Sequence, residues 1–207
     1  PNPWDLGSAR LLERMGFVAL ATTSSGFAAS IGRVDGAAGR DAVLAHAATL
    51  TQATDVPISA DLENGFGDDP DTIAETIRLA AAAGLVGGSI EDFSGTEIYP
   101  FEQALDRMRA AVEAAHALAI PFTLTARAEN LFRGRDDLGD TIRRLQAYQE
   151  IGADVLFAPG LRTRSQIESV LREIDRPLSV LAGVRGMDLS VAELAQTAGA
   201  RVLELYA

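Results

Sequence analysis

Short apolar runs rich in β-branched residues alternate with amphipathic helical segments along the whole chain of 207 residues. Seven of these runs read as strands, and consecutive strand ends are 24 to 40 residues apart, the length of one βα unit. Alternation of this kind is typical of a parallel sheet covered by helices. The sequence therefore predicts an α/β fold. A (β/α)8 TIM-type barrel fits the repeat best, and an open doubly wound sheet is the alternative.

We expect one barrel domain over residues 1–207, with an eighth strand preceding Pro1 and no helix following the last strand. The longest predicted loop is rich in Ser and Gly and runs from Thr22 to Arg40. The last predicted helix runs from Val191 to Ala198, before a final strand over residues 202–205.

Acidic and basic side chains end three consecutive strands. Asp61 and Glu63 close one apolar run, Glu91 closes the next, and Arg127 closes the third. Because the carboxyl ends of parallel strands meet at one end of a barrel, we expect these four side chains to lie close together. Asp61 and Glu63 are two residues apart, so on an extended chain they point to the same face. This pattern predicts a site for a hard divalent cation, the class that includes Mg²⁺ and Mn²⁺, beside an arginine that binds a carboxylate.

Each of these residues also has a structural interpretation. An acid at a strand end can cap the following helix or join a surface ion pair, and Arg127 can simply neutralise the neighbouring acids. Asp35, in the predicted loop, can stabilise a turn as readily as take part in a site.

Composition restricts the available chemistry. The chain contains no Lys and no Cys, which excludes Schiff-base catalysis, a lysine-bearing phosphate loop and a thiolate nucleophile. Its two histidines, His46 and His116, lie in alanine-rich helical stretches and are expected to be structural or solvated. Carboxylates, arginine, hydroxyls, backbone N–H groups and a metal remain.

Charge and hydropathy restrict the partners. A formal net charge of −11 argues against nucleic acid, whose binding needs a basic surface. No apolar run approaches the roughly 20 residues needed to span a bilayer, and no signal peptide is visible. We expect a cytoplasmic protein whose partner is a small carboxylate, bound where a metal and arginine supply positive charge.

Five segments in order resemble the isocitrate lyase/phosphoenolpyruvate mutase superfamily over nearly the whole chain. They are residues 2–10, 23–36, 60–67, 87–92 and 125–130. The resemblance implies a Mg²⁺-dependent barrel that makes or breaks a C–C or P–C bond beside a 2-oxo acid or its enolate. It also implies a homo-oligomer, a dimer or a tetramer.

The resemblance implies specific roles for individual residues. It implies that Asp61, Glu63 and Glu91 ligate the metal directly or through water. Glu63 stands where much of the superfamily has Asp, so its carboxylate reaches one methylene further. Asp35 falls on an aspartate near the metal, and Arg127 falls on the arginine that contacts the anionic end of the substrate.

The resemblance also implies a carboxylate-binding loop. Ser25-Gly26-Phe27 falls on the segment whose backbone N–H groups and hydroxyl hold the substrate carboxylate. Successive N–H groups in a Ser-Gly turn form an anion-binding concavity, which gives this role a plain chemical basis.

Two departures from the superfamily pattern bear on the reaction. The lyases carry a mobile Lys-Lys-Cys-Gly-His loop, whereas the corresponding segment here, residues 92–100, is short and contains no Lys, Cys or His. Where relatives have a His or Glu, this chain has Phe157-Ala158-Pro159-Gly160. The first departure disfavours isocitrate or methylisocitrate cleavage, and the second disfavours both that cleavage and phosphonopyruvate rearrangement.

The reaction predicted from the sequence is therefore one that a metal and an arginine can perform. It is Mg²⁺-dependent cleavage of a small 2-oxo acid through an enolate, most simply decarboxylation of an oxaloacetate-like substrate. Tyr99 or a water molecule would protonate the enolate. The alternatives are a phosphoenolpyruvate mutase or phosphonopyruvate-type reaction, and a barrel that binds a 2-oxo acid without turnover.

Overall fold

Seven parallel strands form one sheet in which each strand pairs with the next along the chain. A computed structural model describes residues 1–183, 186–187, 189–197 and 202–205. The strands are β1 (Leu20–Ala21), β2 (Ile58–Asp61), β3 (Gly87–Glu91), β4 (Thr123–Arg127), β5 (Val155–Phe157), β6 (Leu178–Ala182) and β7 (Val202–Leu205). The predicted parallel α/β architecture is confirmed.

Helices connect the strands. They are α1 (Leu6–Arg14), α2 (Ser24–Ser30), α3 (Arg40–Thr51), α4 (Pro70–Ala82), α5 (Phe101–His116), α6 (Leu138–Glu150), α7 (Arg164–Glu173) and α8 (Val191–Gln196). None of them, within the described ranges, is long and apolar enough to cross a bilayer. Local chemistry sets their starts: Asp69 accepts a hydrogen bond from the backbone N–H of Thr72, and Pro70 occupies the first turn of α4.

The sheet is curled, as in part of a TIM-type barrel. One face carries the fully buried side chains of Ile90, Leu124, Leu156 and Val180, which belong to the core cluster that includes helix residues. Small and polar residues of β1 to β6 line a single cavity of about 430 Å³ on the sheet's other side. Six neighbouring strands can share one cavity only if the sheet bends around it.

One segment differs from its prediction. The Ser- and Gly-rich loop from Thr22 to Arg40 contains the helix α2. The Thr23 side chain caps this helix by accepting a hydrogen bond from the backbone N–H of Gly26, and the Phe-Ala-Ala sequence that follows sustains the turn. The end of the last predicted helix, at Ala198, lies outside the described residues.

The strand register places charged groups opposite each other. Glu91, the last residue of β3, pairs with Arg127, the last residue of β4, and Asp61 at the end of β2 pairs with Ser89. Parallel register therefore brings the ends of β2, β3 and β4 to one edge of the sheet.

A buried ionic network locks α6 against this edge. Arg144 on α6 is 2% exposed, and its guanidinium donates to Asp92 (3.0 Å), to Asp140 (2.8 Å) and to the Tyr99 carbonyl (3.1 Å). Asp92 directly follows β3, and its carboxylate also accepts from the backbone N–H of Glu129 (2.8 Å). The network therefore fixes the chain on both sides of the strand ends.

We expect Arg144→Met to lower the free energy of unfolding by about 3–5 kcal/mol, because it leaves the buried Asp92 carboxylate without its guanidinium. The matched control is Arg143→Met, which removes an exposed guanidinium from its i,i+3 ion pair with Asp140, leaves Asp140 paired with Arg144, and should cost about 1 kcal/mol or less. Urea unfolding followed by circular dichroism measures both. Equal losses in the two variants would contradict a stabilising role for the network.

Candidate active site

A cavity of about 210 Å³ lies at the carboxyl ends of β2, β3 and β4. Pockets for drug-sized ligands measure about 300–1,000 Å³, so this one suits a smaller molecule. Four of the predicted site residues line it together: Asp35, Glu63, Glu91 and Arg127. The other lining residues are Ser24, Gly36, Asn64, Phe93, Ser94, Gly95 and Arg133.

Asp61 lies just beneath these residues. Its Oδ2 atom is 3.6 Å from Nη1 of Arg127 and accepts a hydrogen bond from the Ser24 hydroxyl (2.9 Å). Its Oδ1 atom accepts from the backbone N–H of Glu63 (3.1 Å). The structure thus brings all three predicted metal ligands to one region.

Glu63 reaches the cavity by a route that differs from the one predicted. Strand β2 ends at Asp61, and Glu63 has a left-handed backbone with φ of 51°. The alternation argument for an extended chain therefore does not apply to this pair. A turn stabilised by the Asp61 carboxylate and completed by Gly65 (φ 81°) aims the Glu63 side chain inward instead.

The Glu63 carboxylate is electrostatically uncompensated. Its Oε1 atom is buried and has no hydrogen-bond partner in the part of the chain that the structure describes. Burial raises the pKa of Glu63 to about 7, and the nearby negative charges of Asp61 and Asp35 add to the shift. A bound cation would remove this penalty.

Glu91 also has a raised pKa, although two arginines are close to its carboxylate. Its Oε2 atom is 3.4 Å from Nε of Arg127, and its Oε1 atom is 3.5 Å from Nη2 of Arg133. Burial is the largest cause that raises the pKa of Glu91 to about 8; Arg127 opposes it, and Glu129 and Asp61 raise the pKa further.

Glu129 holds both arginines. It is fully buried, and its two carboxylate oxygens accept hydrogen bonds from Nε of Arg127 and from Nε of Arg133 (2.8 Å). Neither Glu129 nor Arg133 is among the site residues predicted from the sequence. Two signals were available: Glu129 lies two residues after Arg127, and Arg133 lies four residues after Glu129, a spacing at which side chains meet in a helical turn.

The predicted carboxylate-binding loop, Ser25-Gly26-Phe27, does not line the cavity. The Ser25 side chain is exposed, the Gly26 N–H is used by the helix cap on Thr23, and the buried Phe27 ring stacks on His46 at 4.1 Å. Ser24 lines the cavity instead, with its hydroxyl 2.9 Å from a carboxylate oxygen of Asp35 and of Asp61.

Tyr99 is not one of the residues that line the cavity. Its hydroxyl donates to Asp68 and accepts from the Asn64 amide (3.1 Å), while the Arg107 guanidinium stacks 4.0 Å from its ring centre. Burial and the bond to Asp68 raise its pKa to about 12. This arrangement stabilises the turn after β2 and does not favour the predicted role of Tyr99 as proton donor.

The residues present fit a hard divalent cation. Asp61, Glu63 and Glu91 offer carboxylate oxygens, the ligands that Mg²⁺ prefers, and the buried Oε1 atom of Glu63 lacks a partner among the described residues. Within the same ranges, no three acidic or histidine side chains form a ready-made metal cage. Mg²⁺ usually keeps several waters, so ligation partly through water agrees with both observations.

Comparison with known proteins identifies relatives along the full chain. A sequence model of the family described as phosphoenolpyruvate phosphomutase matches residues 1–204. The crystal structure of a Burkholderia cenocepacia J2315 protein, provisionally assigned as a lyase or mutase, is 56% identical with a TM-score of 0.95. The match covers 98% of this chain and 74% of that one.

Two curated enzymes are also similar. The 2-methylisocitrate lyase of Escherichia coli K12 is 34% identical over 160 residues, which are 72% of this chain and 53% of the enzyme. The oxaloacetate decarboxylase of Bradyrhizobium diazoefficiens is 29% identical over 142 residues, which are 65% of this chain and 47% of the enzyme. The aligned region spans about half the length of each enzyme.

We expect the Glu63 carboxyl to titrate near pH 7 in the metal-free protein, as followed by NMR of ¹³C-labelled glutamate. Asp35→Asn should move that pKa toward its ordinary value of 4.5, because it removes one of the charges that raise it. Asp71→Asn, an exposed acid at the start of α4, is the matched control and should not change it. Titration of Glu63 near 4.5 in the unaltered protein would contradict this description of the site.

Proposed function

The chain belongs to the phosphoenolpyruvate mutase/isocitrate lyase superfamily of metal-dependent lyases and mutases, and we propose that it cleaves a small 2-oxo acid with Mg²⁺. The simplest reaction is decarboxylation of an oxaloacetate-like substrate. Similarity to an oxaloacetate decarboxylase supports this choice of substrate class.

The main observation that supports a cation-dependent reaction is the excess of acidic over basic side chains around the cavity. Five carboxylates surround two guanidiniums, so the acids exceed the bases by three formal charges. The acids are Asp35, Asp61, Glu63, Glu91 and Glu129, and the bases are Arg127 and Arg133. An anionic 2-oxo acid would be repelled from such a site unless a cation entered with it.

Asp61, Glu63 and Glu91 would hold the cation, in part through water. When bound, Mg²⁺ supplies Lewis-acid chemistry, which polarises the keto group of a chelating 2-oxo acid. Asp35 and Ser24 would orient the Asp61 carboxylate and the surrounding waters, since the Ser24 hydroxyl lies 2.9 Å from both acids.

Arg127 would bind the substrate carboxylate and stabilise the oxygen on which charge develops. In decarboxylation the C3–C4 bond of the substrate breaks, CO₂ leaves, and the electron pair moves toward the keto oxygen as an enolate forms. Glu129 keeps the Arg127 guanidinium in a fixed orientation, so its donors need no reorganisation during the reaction. Preorganised donors of this kind contribute roughly 3–4 kcal/mol each in well-studied enzymes.

The turn after β3 offers the cavity no protein base, which supports a reaction that needs none in its first step. Residues 93–98 form a short turn in which Phe93 bridges Ile98, and its lining residues are Phe93, Ser94 and Gly95. None of these three side chains titrates near neutral pH. The Phe157 ring lies 5.1 Å from the Arg127 guanidinium, and Phe157 begins the segment in which the superfamily resemblance implies a titratable residue. In the proposed reaction, water protonates the enolate at C3.

Phosphorus–carbon chemistry on phosphonopyruvate is the second candidate. The description of the matching family model, phosphoenolpyruvate phosphomutase, is the observation that favours it. An assay of phosphonopyruvate under the conditions used for oxaloacetate separates the two candidates.

We also propose that the curled sheet belongs to a complete (β/α)8 barrel, that the protein is cytoplasmic, and that it assembles as a homo-oligomer. The cavity shared by β1 to β6 supports the first of these proposals.

We expect Mg²⁺-dependent loss of oxaloacetate, abolished by EDTA and lowered at least 100-fold by Glu91→Gln, because that change removes a charged ligand. Glu97→Gln, the same chemical change at an exposed position of the neighbouring turn, is the matched control and should retain activity. Coupled detection of pyruvate measures both variants. Turnover that persists in EDTA, or an active Glu91→Gln variant, would refute the mechanism.

Tyr99→Phe should leave the decarboxylation rate within about threefold, because Tyr99 does not line the cavity and its hydroxyl is bonded to Asp68 and to the lining residue Asn64. The same change should lower the free energy of unfolding by about 1 kcal/mol through the lost hydrogen bonds. Initial rates and urea unfolding measure the two effects. A 100-fold drop in rate with unchanged stability would instead identify Tyr99 as the proton donor.

A further inference from the structure

Arg133 is a second arginine on the cavity wall. It follows β4 in a turn closed by a hydrogen bond from its own N–H to the Glu129 carbonyl (3.0 Å). Its side chain is 28% exposed, whereas that of Arg127 is 9% exposed. Arg133 therefore lies nearer the mouth of the site than Arg127.

Three contacts fix the Arg133 guanidinium. Nε donates to Glu129 (2.8 Å), Nη2 is 3.5 Å from Glu91, and the plane stacks 3.9 Å from the centre of the Phe93 ring. A stacked, ion-paired guanidinium loses less conformational freedom on binding an anion than a mobile one. The group is therefore preorganised.

One end of this guanidinium remains available. The Nη1 amino group of Arg133 makes no hydrogen bond within the described part of the chain, although the side chain lines the cavity. An arginine needed only to neutralise Glu129 would not have to face the cavity, because Arg127 already pairs with that carboxylate. A preorganised donor facing a small cavity is suited to bind a ligand anion.

We propose that Arg133 binds the second carboxylate of the substrate and thereby selects dicarboxylic 2-oxo acids over monocarboxylic ones. The inference rests on the proposed function, in which Arg127 and the metal ligands bind the 2-oxo acid end. Glu129 presents Arg127 and Arg133 on its two oxygens, so both guanidiniums face one cavity of about 210 Å³. A short molecule with an anionic group at each end matches that arrangement.

The test compares ligands that differ only at the distal group. Oxaloacetate and 2-oxobutanoate have the same four-carbon chain, with a carboxylate in one and a methyl group in the other, and oxalate has only the metal-chelating end. With Mg²⁺ present, KM and kcat are measured for oxaloacetate, and inhibition constants for the other two. Should the unaltered protein not turn over oxaloacetate, calorimetry gives the three affinities directly.

Arg133→Gln should raise the KM or dissociation constant of oxaloacetate at least tenfold while changing the constants for 2-oxobutanoate and oxalate less than threefold. Arg133→Lys keeps the charge but not the planar fork, so it should recover part of the loss. Arg135→Gln is the matched control, because it removes an equal charge two residues away from an exposed side chain that pairs with Asp140 outside the cavity lining. It should change none of the constants by more than twofold, and thermal unfolding verifies that each variant is folded.

Equal weakening of all three ligands by Arg133→Gln would overturn the inference and assign Arg133 a general structural role. The inference would also be overturned if the unaltered protein bound oxaloacetate no more tightly than 2-oxobutanoate. That result would not contradict the proposed metal site. Selective loss of oxaloacetate binding in a protein without turnover would support the inference while refuting the proposed reaction.

Discussion

Carboxylates outnumber guanidiniums in a small and largely buried volume, and the chemistry of this protein depends on that imbalance. The carboxyl ends of parallel strands converge, so acids placed at the ends of β2 and β3 are forced together. Burial deprives them of water, which is why the pKa values of Glu63 and Glu91 rise to about 7 and about 8. The arrangement is costly without a counter-charge, and a bound cation would offset that cost.

Buried arginines outside the cavity hold this arrangement in place. Arg144 ties α6 to the end of β3 through Asp92, and Arg107 donates to the carbonyls of Asn64 (2.5 Å) and Gly67 (2.7 Å). The second pair of bonds fixes the turn that aims Glu63 inward. A chain without lysine thus uses the planar, multiply donating guanidinium as a structural clamp as well as a site residue.

Much of the fold and the composition of the site were predictable from the sequence. The periodic alternation of strands and helices determines a parallel sheet, and the position of an acid at a strand end determines that it lies at the site edge. For that reason Asp61, Glu91 and Arg127 were identified correctly as neighbours. The resemblance to the superfamily, shown by a family match over residues 1–204, added Asp35 and the expected chemistry.

Tertiary structure decided which side chains of the irregular segments face the cavity. Loops have no periodicity from which the direction of a side chain can be predicted. For that reason the prediction placed Ser25 at the site where the structure has Ser24, and it treated the short capped helix α2 as part of a loop. Glu63 enters the cavity through a left-handed turn that alternation along a strand cannot describe. Glu129 and Arg133 acquire their importance from contacts between a strand end and the turn after it. The sequence by itself determined the elements and their charged ends; the packing of turns against one another determined the geometry around the cavity.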